Sequence, residues 1–214
     1  MRKKLYCALI TGSFLLSAAA ANAQGFGVCG YDKQTIDSAN CYGPASLKAT
    51  TVTGAVHVAG PLKAYNANVA SIDVAGVAEL YDTIVKNKSS VAGMLTAFQS
   101  KLTAVQVAGN AKLTKTSVSG SAKIQGSLTA TDSDFANDVV LYSDKLDLVS
   151  STVKGDLIIA SKHKNPVVTL TCGSHIEGKV IFTEKAGTVK MTADSVIKGK
   201  IINGTTEVIK VSCK

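Results

Sequence analysis

The chain has 214 residues, a formal net charge of +8 and 46% hydrophobic residues, which is enough for one sizeable domain with a packed core. Its single Arg is Arg2, and it has no Trp. Arg is the usual bidentate grip on phosphate and carboxylate, so scattered Lys without Arg argues against a specific nucleic-acid partner and fits a solubilising surface.

In chain order, residues 1–23 read as an export signal. Arg2, Lys3 and Lys4 form a basic start, an apolar stretch follows from Leu5, and Ala21-Asn22-Ala23 fits the small-x-small cleavage pattern, so the mature chain is expected to begin at Gln24. The apolar stretch is short for an anchor helix, and Cys7 lies at its start rather than at a cleavage point. Cleavage lowers the charge from +8 to +5. No later segment reaches a spanning length of apolar residues, so no membrane span is expected in the mature chain. The expected location is periplasmic or extracellular.

Residues 24–44 read as a non-repetitive lead-in that caps the domain, which is expected to occupy 45–214. Four cysteines follow the signal: Cys29, Cys41, Cys172 and Cys213. An even count in an exported protein suggests disulfides. Three pairings exist. Cys29 with Cys41 is favoured as the local pair, which leaves Cys172 with Cys213. A zinc site is the alternative, at a spacing that matches no common zinc pattern.

The central part repeats. Gly60, Gly76, Gly93, Gly109 and Gly126 are spaced 16, 17, 16 and 17 residues apart. Two residues after these glycines stand Leu62, Ala78, Leu95, Ala111 and Leu128; four residues after stand Ala64, Leu80, Ala97, Leu113 and Ala130. The two columns alternate large and small in opposite phase. A spacing of two puts both side chains on one face of a strand, and the alternation suits interdigitated packing in a confined interior. The sixth and seventh positions after each glycine are mostly polar or small, as in Asp82-Thr83 and Gln99-Ser100. Val, Thr and Ile are abundant, as strands prefer, and the unit is too short for a helix-turn-helix repeat. The expected fold is therefore all-β: a single-stranded parallel β-helix, or solenoid, of nine or ten coils, with a glycine at each marker to allow a turn that a Cβ resists.

Beyond Gly126 the coils lengthen. "STVKGDLII" from Ser151, "SHIEGKVIF" from Ser174 and "SVIKGKIIN" from Ser195 share Ser-x-(Val/Ile)-x-Gly-x-(Leu/Val/Ile). With earlier copies at Thr50 and Thr116, these resemble the coils of bactofilins, bacterial proteins that form filaments from a compact β-helix, over roughly Thr50 to Gly204. The resemblance implies right-handed coils, end-to-end polymerisation without nucleotide, a scaffold with no catalytic residues, and an origin in a Gram-negative bacterium. The export signal and the cysteines depart from that family, which is normally cytoplasmic.

Residues that could carry chemistry are few. His57 lies between inward Val56 and Val58 and is expected to point outward; His163 sits in a polar turn and His175 at a corner. None has a catalytic partner at motif spacing. Asp132, Asp134, Asp138, Asp144 and Asp147 crowd one stretch; such clusters bind calcium or mark ordinary turns, and no known loop pattern is present. Five positions after the first three glycines stand Tyr65, Tyr81 and Phe98, expected to form an outward aromatic ladder able to contact a partner. No enzyme activity and no cofactor are expected. The leading expectation is an exported structural protein, a homo-oligomer, filament or binder of an envelope component. The alternative is a surface binder or adhesin that recognises a glycan or protein through Tyr65, Tyr81 and Phe98.

Overall fold

The structure is a computed structural model that describes residues 22–25 and 27–213. The expected export signal lies outside the described residues except for Asn22 and Ala23. The described chain is all-β and forms a parallel solenoid. One sheet, face 1, stacks eleven strands in sequence order, from Cys29–Asp32 through Ala45–Lys48, Leu62–Tyr65 and Ala78–Tyr81 to Gly204–Val208. A second sheet wraps the other two sides. Face 2 carries short strands such as Ser117–Val118 and Asp134–Phe135, and face 3 carries strands such as Val139–Leu141 and Leu157–Ile159. In early coils one strand, such as Thr51–Val58 or Ile84–Val91, turns the corner between faces 2 and 3.

Coils are numbered by their face 1 strand, so coil 1 begins at Cys29 and coil 11 at Gly204. Eleven strands stacked at about 4.8 Å make a rod about 48 Å long. The count exceeds the nine or ten repeats legible in sequence because the stack starts earlier. Cys29–Asp32, Thr35–Ile36 and Ser38–Cys41, inside the segment read as a lead-in, pair in parallel with coil 2. Asn22–Gly25 adds a further strand beside Ser38–Cys41.

The opposed columns are as expected. Register stacks Ala45, Leu62, Ala78, Leu95, Ala111 and Leu128 in one line, and Leu47, Ala64, Leu80, Ala97, Leu113 and Ala130 in the next. All are buried. Through coil 6, coil length follows the same alternation. In coils that read Ala then Leu, four positions separate the inward residues of faces 2 and 3: Val52 to Val56, Val85 to Ser89, Val118 to Ala122. In coils 3 and 5, which read Leu then Ala, the separation is three, Val69 to Ile72 and Leu102 to Val105, whereas coil 7 reads Leu then Ala and keeps four, Phe135 to Val139. The extra residue sits in the irregular register between Val85 and Ser89 and its equivalents, and it produces the 16/17 spacing.

The corner between faces 1 and 2 is made by a left-handed residue followed by a buried small side chain. Asn66, Asp82, Gln99, Lys115 and Asp132 all have φ near +50°, a conformation that costs residues with a Cβ about 1–2 kcal/mol. The next residues, Thr83, Ser100, Thr116 and Ser133, are buried. Their hydroxyls supply what the turned backbone lacks. The Ser133 hydroxyl donates to the Thr131 carbonyl at 2.8 Å and accepts the Thr116 N–H at 3.1 Å. Ser151 repeats this one coil on, donating to Val149 and accepting from Ser133 N–H. A buried backbone group left unpaired would cost about 1–3 kcal/mol, so these hydroxyls stabilise the corners that carry them; the corner after Asn66 carries buried Ala67 instead.

The marker glycines serve contact rather than torsion. They do not adopt positive φ. Each lies against the glycine one coil before: a Cβ on Gly76 would stand 2.7 Å from the Gly60 carbonyl oxygen, and Cβ atoms on Gly93 and Gly109 would press on the carbonyls of Gly76 and Gly93. The same column extends to Gly43 and Gly27.

Candidate functional site

Four sets of residues are candidates: the aromatic ladder, the outward column of face 3, the disulfides and the C-terminal end.

On face 1, residues two apart share a side, so the fourth residue of each strand points outward when the first and third point inward. This places Tyr65, Tyr81 and Phe98 in one register line. The Tyr65 and Tyr81 rings stack with centroids 4.9 Å apart and planes 6° from parallel. Tyr65 is exposed, while Tyr81 and Phe98 are half-buried. Beside the ladder, Lys63 and Glu79 form an ion pair at 3.1 Å. The hydrogen bond and charge of Glu79 raise the Lys63 ammonium above its ordinary value. The ladder is thus a short aromatic strip flanked by a salt bridge, able to meet a flat apolar surface at its rings.

Face 3 carries one central outward residue per coil, and its chemistry changes along the rod. In register the column reads Asn40, His57, Asp73, Ser90, Gln106 and Lys123, then Val140, Ile158, Ile181 and Ile202. The polar half borders an open groove of about 450 Å³. Ala59, Ala75, Ala92 and Ala108 line its length, with Tyr42 and Gln125 also on its walls. His57 points outward as expected, with Nδ1 3.6 Å from Asp73. In the aliphatic half, Val140, Ile158 and Ile181 are half-buried, and Ile202 is exposed. This column was not apparent in the sequence, because a single outward residue per coil shifts position as the coils lengthen. Its only sequence signal is the middle aliphatic of "LII", "VIF" and "IIN".

The remaining histidines and the Asp cluster are dispersed. His175 opens a strand, with Nδ1 3.1 Å from the Gly173 carbonyl oxygen. His163 lies in an exposed bend, its N–H donating to the Ser161 hydroxyl. Asp132 is a left-handed corner residue. Asp138 accepts the Asp156 N–H at 2.8 Å, and Asp156 accepts the Lys179 N–H at 2.8 Å, so these carboxylates staple one coil to the next. Among the described residues, no three His, Cys, Asp or Glu side chains converge as metal ligands.

The cysteines pair as favoured, Cys29 with Cys41 and Cys172 with Cys213, and this removes the zinc alternative. Two disulfides fit an oxidising, exported environment. Cys29–Cys41 ties face 1 to face 3 within the first coil. The Tyr31 hydroxyl lies 3.9 Å from the Cys41 sulfur, and burial raises its phenol above the ordinary value. Cys172–Cys213 ties the C-terminal tail back to coil 9, and Ile209 N–H donates to Met191 O on the way.

The two ends differ. The inward residues of coil 1, Cys29, Ile36, Ala39 and Cys41, are buried. At the other end, among the described residues, the strand Gly204–Val208 pairs only with Gly187–Met191. Thr206 and Val208 continue the inward columns, yet both are exposed, Val208 by 71%.

No protein-family model, no curated protein and no solved structure matches the chain.

Proposed function

We propose that this chain is a non-catalytic exported structural protein, a rigid bactofilin-like β-helical rod that self-associates or holds a cell-envelope component. The observation that carries this reading is the C-terminal end: an unpaired strand edge whose inward columns finish in exposed Thr206 and Val208. An open edge with apolar character is a template for another chain. Light scattering after size exclusion tests it over a range of concentrations. Wild-type protein assembles as concentration rises, and Val208→Lys weakens end-to-end assembly. A strict monomer at high concentration refutes self-association.

A second reading is favoured by the Tyr65–Tyr81 stack: a surface binder or adhesin that takes a glycan or protein on its aromatic strip. Planar rings held in line on a rigid sheet present apolar area at low entropic cost. Binding on a glycan array that disappears in Tyr65→Ala and Tyr81→Ala, with unchanged circular dichroism, supports this reading. Retained binding overturns it.

A further inference from the structure

We propose that face 3 of coils 7 to 10 is a self-complementary surface on which a second copy of the chain lies antiparallel. The inference rests on the self-association reading above and gives it a place and a geometry distinct from the rod end.

The surface has an aliphatic centre and a charged margin. The centre is Val140, Ile158, Ile181 and Ile202, one per coil. The margin is the residue preceding each strand: Asp138, Asp156, Lys179 and Lys200, in the same coil order. It therefore reads acid, acid, base, base along the rod. Both carboxylates are fixed at the rim by backbone N–H groups of the next coil.

A two-fold axis along the strand direction, midway between coils 8 and 9, inverts coil order and keeps each column on its own side. Coil 7 then faces coil 10 of the second copy, and coil 8 faces coil 9. Ile158 meets Ile181, and Val140 meets Ile202. Asp138 meets Lys200, and Asp156 meets Lys179. In the next column out Lys154 comes to face Glu177, which also pairs with Lys198 of its own chain at 3.7 Å, while Ala136 faces Lys198 without a charge partner. An isologous interface demands that residue i meet j while j meets i, and the four centre and margin pairings satisfy that demand with matched chemistry. A parallel dimer would set the charged margin against Tyr142, Ala160, Thr183 and Asn203, and its charges would go unpaired. Coils 1 to 6 lack both features, because their outward column is polar.

The exported, disulfide-bonded protein is measured by analytical ultracentrifugation, with thermal melts confirming that each variant folds. Ile158→Lys weakens association by about tenfold or more, as a charge placed in an apolar interface centre should. Asp156→Lys weakens it too, and the double variant Asp156→Lys with Lys179→Asp restores it, since the swap keeps opposite charges across the axis. Val208→Lys, at the rod end, leaves this dimer intact. An oligomer that survives Ile158→Lys but dissolves in Val208→Lys refutes the lateral surface and leaves end-to-end assembly standing. A wild-type monomer at every concentration refutes both, and weakening by Asp156→Lys without rescue by the swap refutes the antiparallel geometry.

Discussion

In coils 2 to 7 each Leu of face 1 rests on an Ala of its neighbours, whereas from coil 8 onward large stacks on large: Leu146 on Leu128, Leu148 under Leu170, and Val168 under Val189. The first region holds its interior volume constant, so 16 or 17 residues suffice to wrap it. The second encloses more bulk; its coils 8 and 9 carry extra chain in turns, such as the exposed residues 162–165 between Leu157–Ile159 and Val167–Thr171, while coil 10 returns to the early length, with Gly204 stacked on Gly187. Phe182 shows the limit of that region. Its ring lies so close to Gly187 and Gly204 that a Cβ at Gly204 would stand 2.6 Å from it.

The largest test of this contrast is paired truncation. Leu80→Ala puts a third small side chain in line between Ala64 and Ala97, a void that neither neighbour fills. Leu148→Ala keeps Leu170 on one side. Both lie in the range of about 2–5 kcal/mol, with Leu80→Ala the more costly; denaturant melts showing the reverse would undo the volume argument. Overpacking comes next. Ala97→Leu, beside Leu95, destabilises by about 1–3 kcal/mol. Combining it with Leu95→Ala restores the total volume of coil 5 but stacks three large side chains in one column and three small ones in the other, so a double-mutant cycle should show no rescue.

A smaller effect separates the corners. Ser133→Ala strips the Thr116 N–H of its acceptor and should cost about 1–3 kcal/mol by the same melts. A neutral result would make the hydroxyl column incidental. The smallest effect belongs to the C-terminal coils. A hydrogen bond from Thr192 holds the Asp194 carboxyl below its ordinary value of 3.8. A depressed carboxylate stabilises the fold above its unfolded value, and that contribution is lost as pH falls through the folded value. Acid titration followed by NMR should place Asp194 below 3.8; a midpoint at or above that value removes the effect.

Much of the architecture was legible because the interior writes itself into the chain at fixed intervals. Leu62, Ala78 and Leu95 announce both the coil and its contents, and Cys29 and Cys41 lie close enough in sequence to suggest their own bond. The early start of the stack has a signal too, since Gly27 and Gly43 continue the glycine spacing back from Gly60. The corner hydroxyls were harder. Polarity at Thr83 and Ser100 suggests solvent, yet these side chains are buried because the left-handed turn before them leaves backbone groups to be paired. The surfaces were hardest of all. Tyr65 and Tyr81 fall on the regular repeat and could be aligned by eye, while Val140, Ile158, Ile181 and Ile202 become neighbours only once three coils of unequal length are wound.

The alternation of Leu and Ala also imposes a parity on the rod. Excising coil 4 would set Leu62 directly on Leu95 and Ala64 on Ala97, a collision beside a hollow. Excising coils 4 and 5 together would set Leu62 on Ala111 and Ala64 on Leu113, and the interior would close without a seam. The regular part of the molecule can therefore be shortened or extended only in even steps, and any natural or engineered variant of different length should differ by whole pairs of coils.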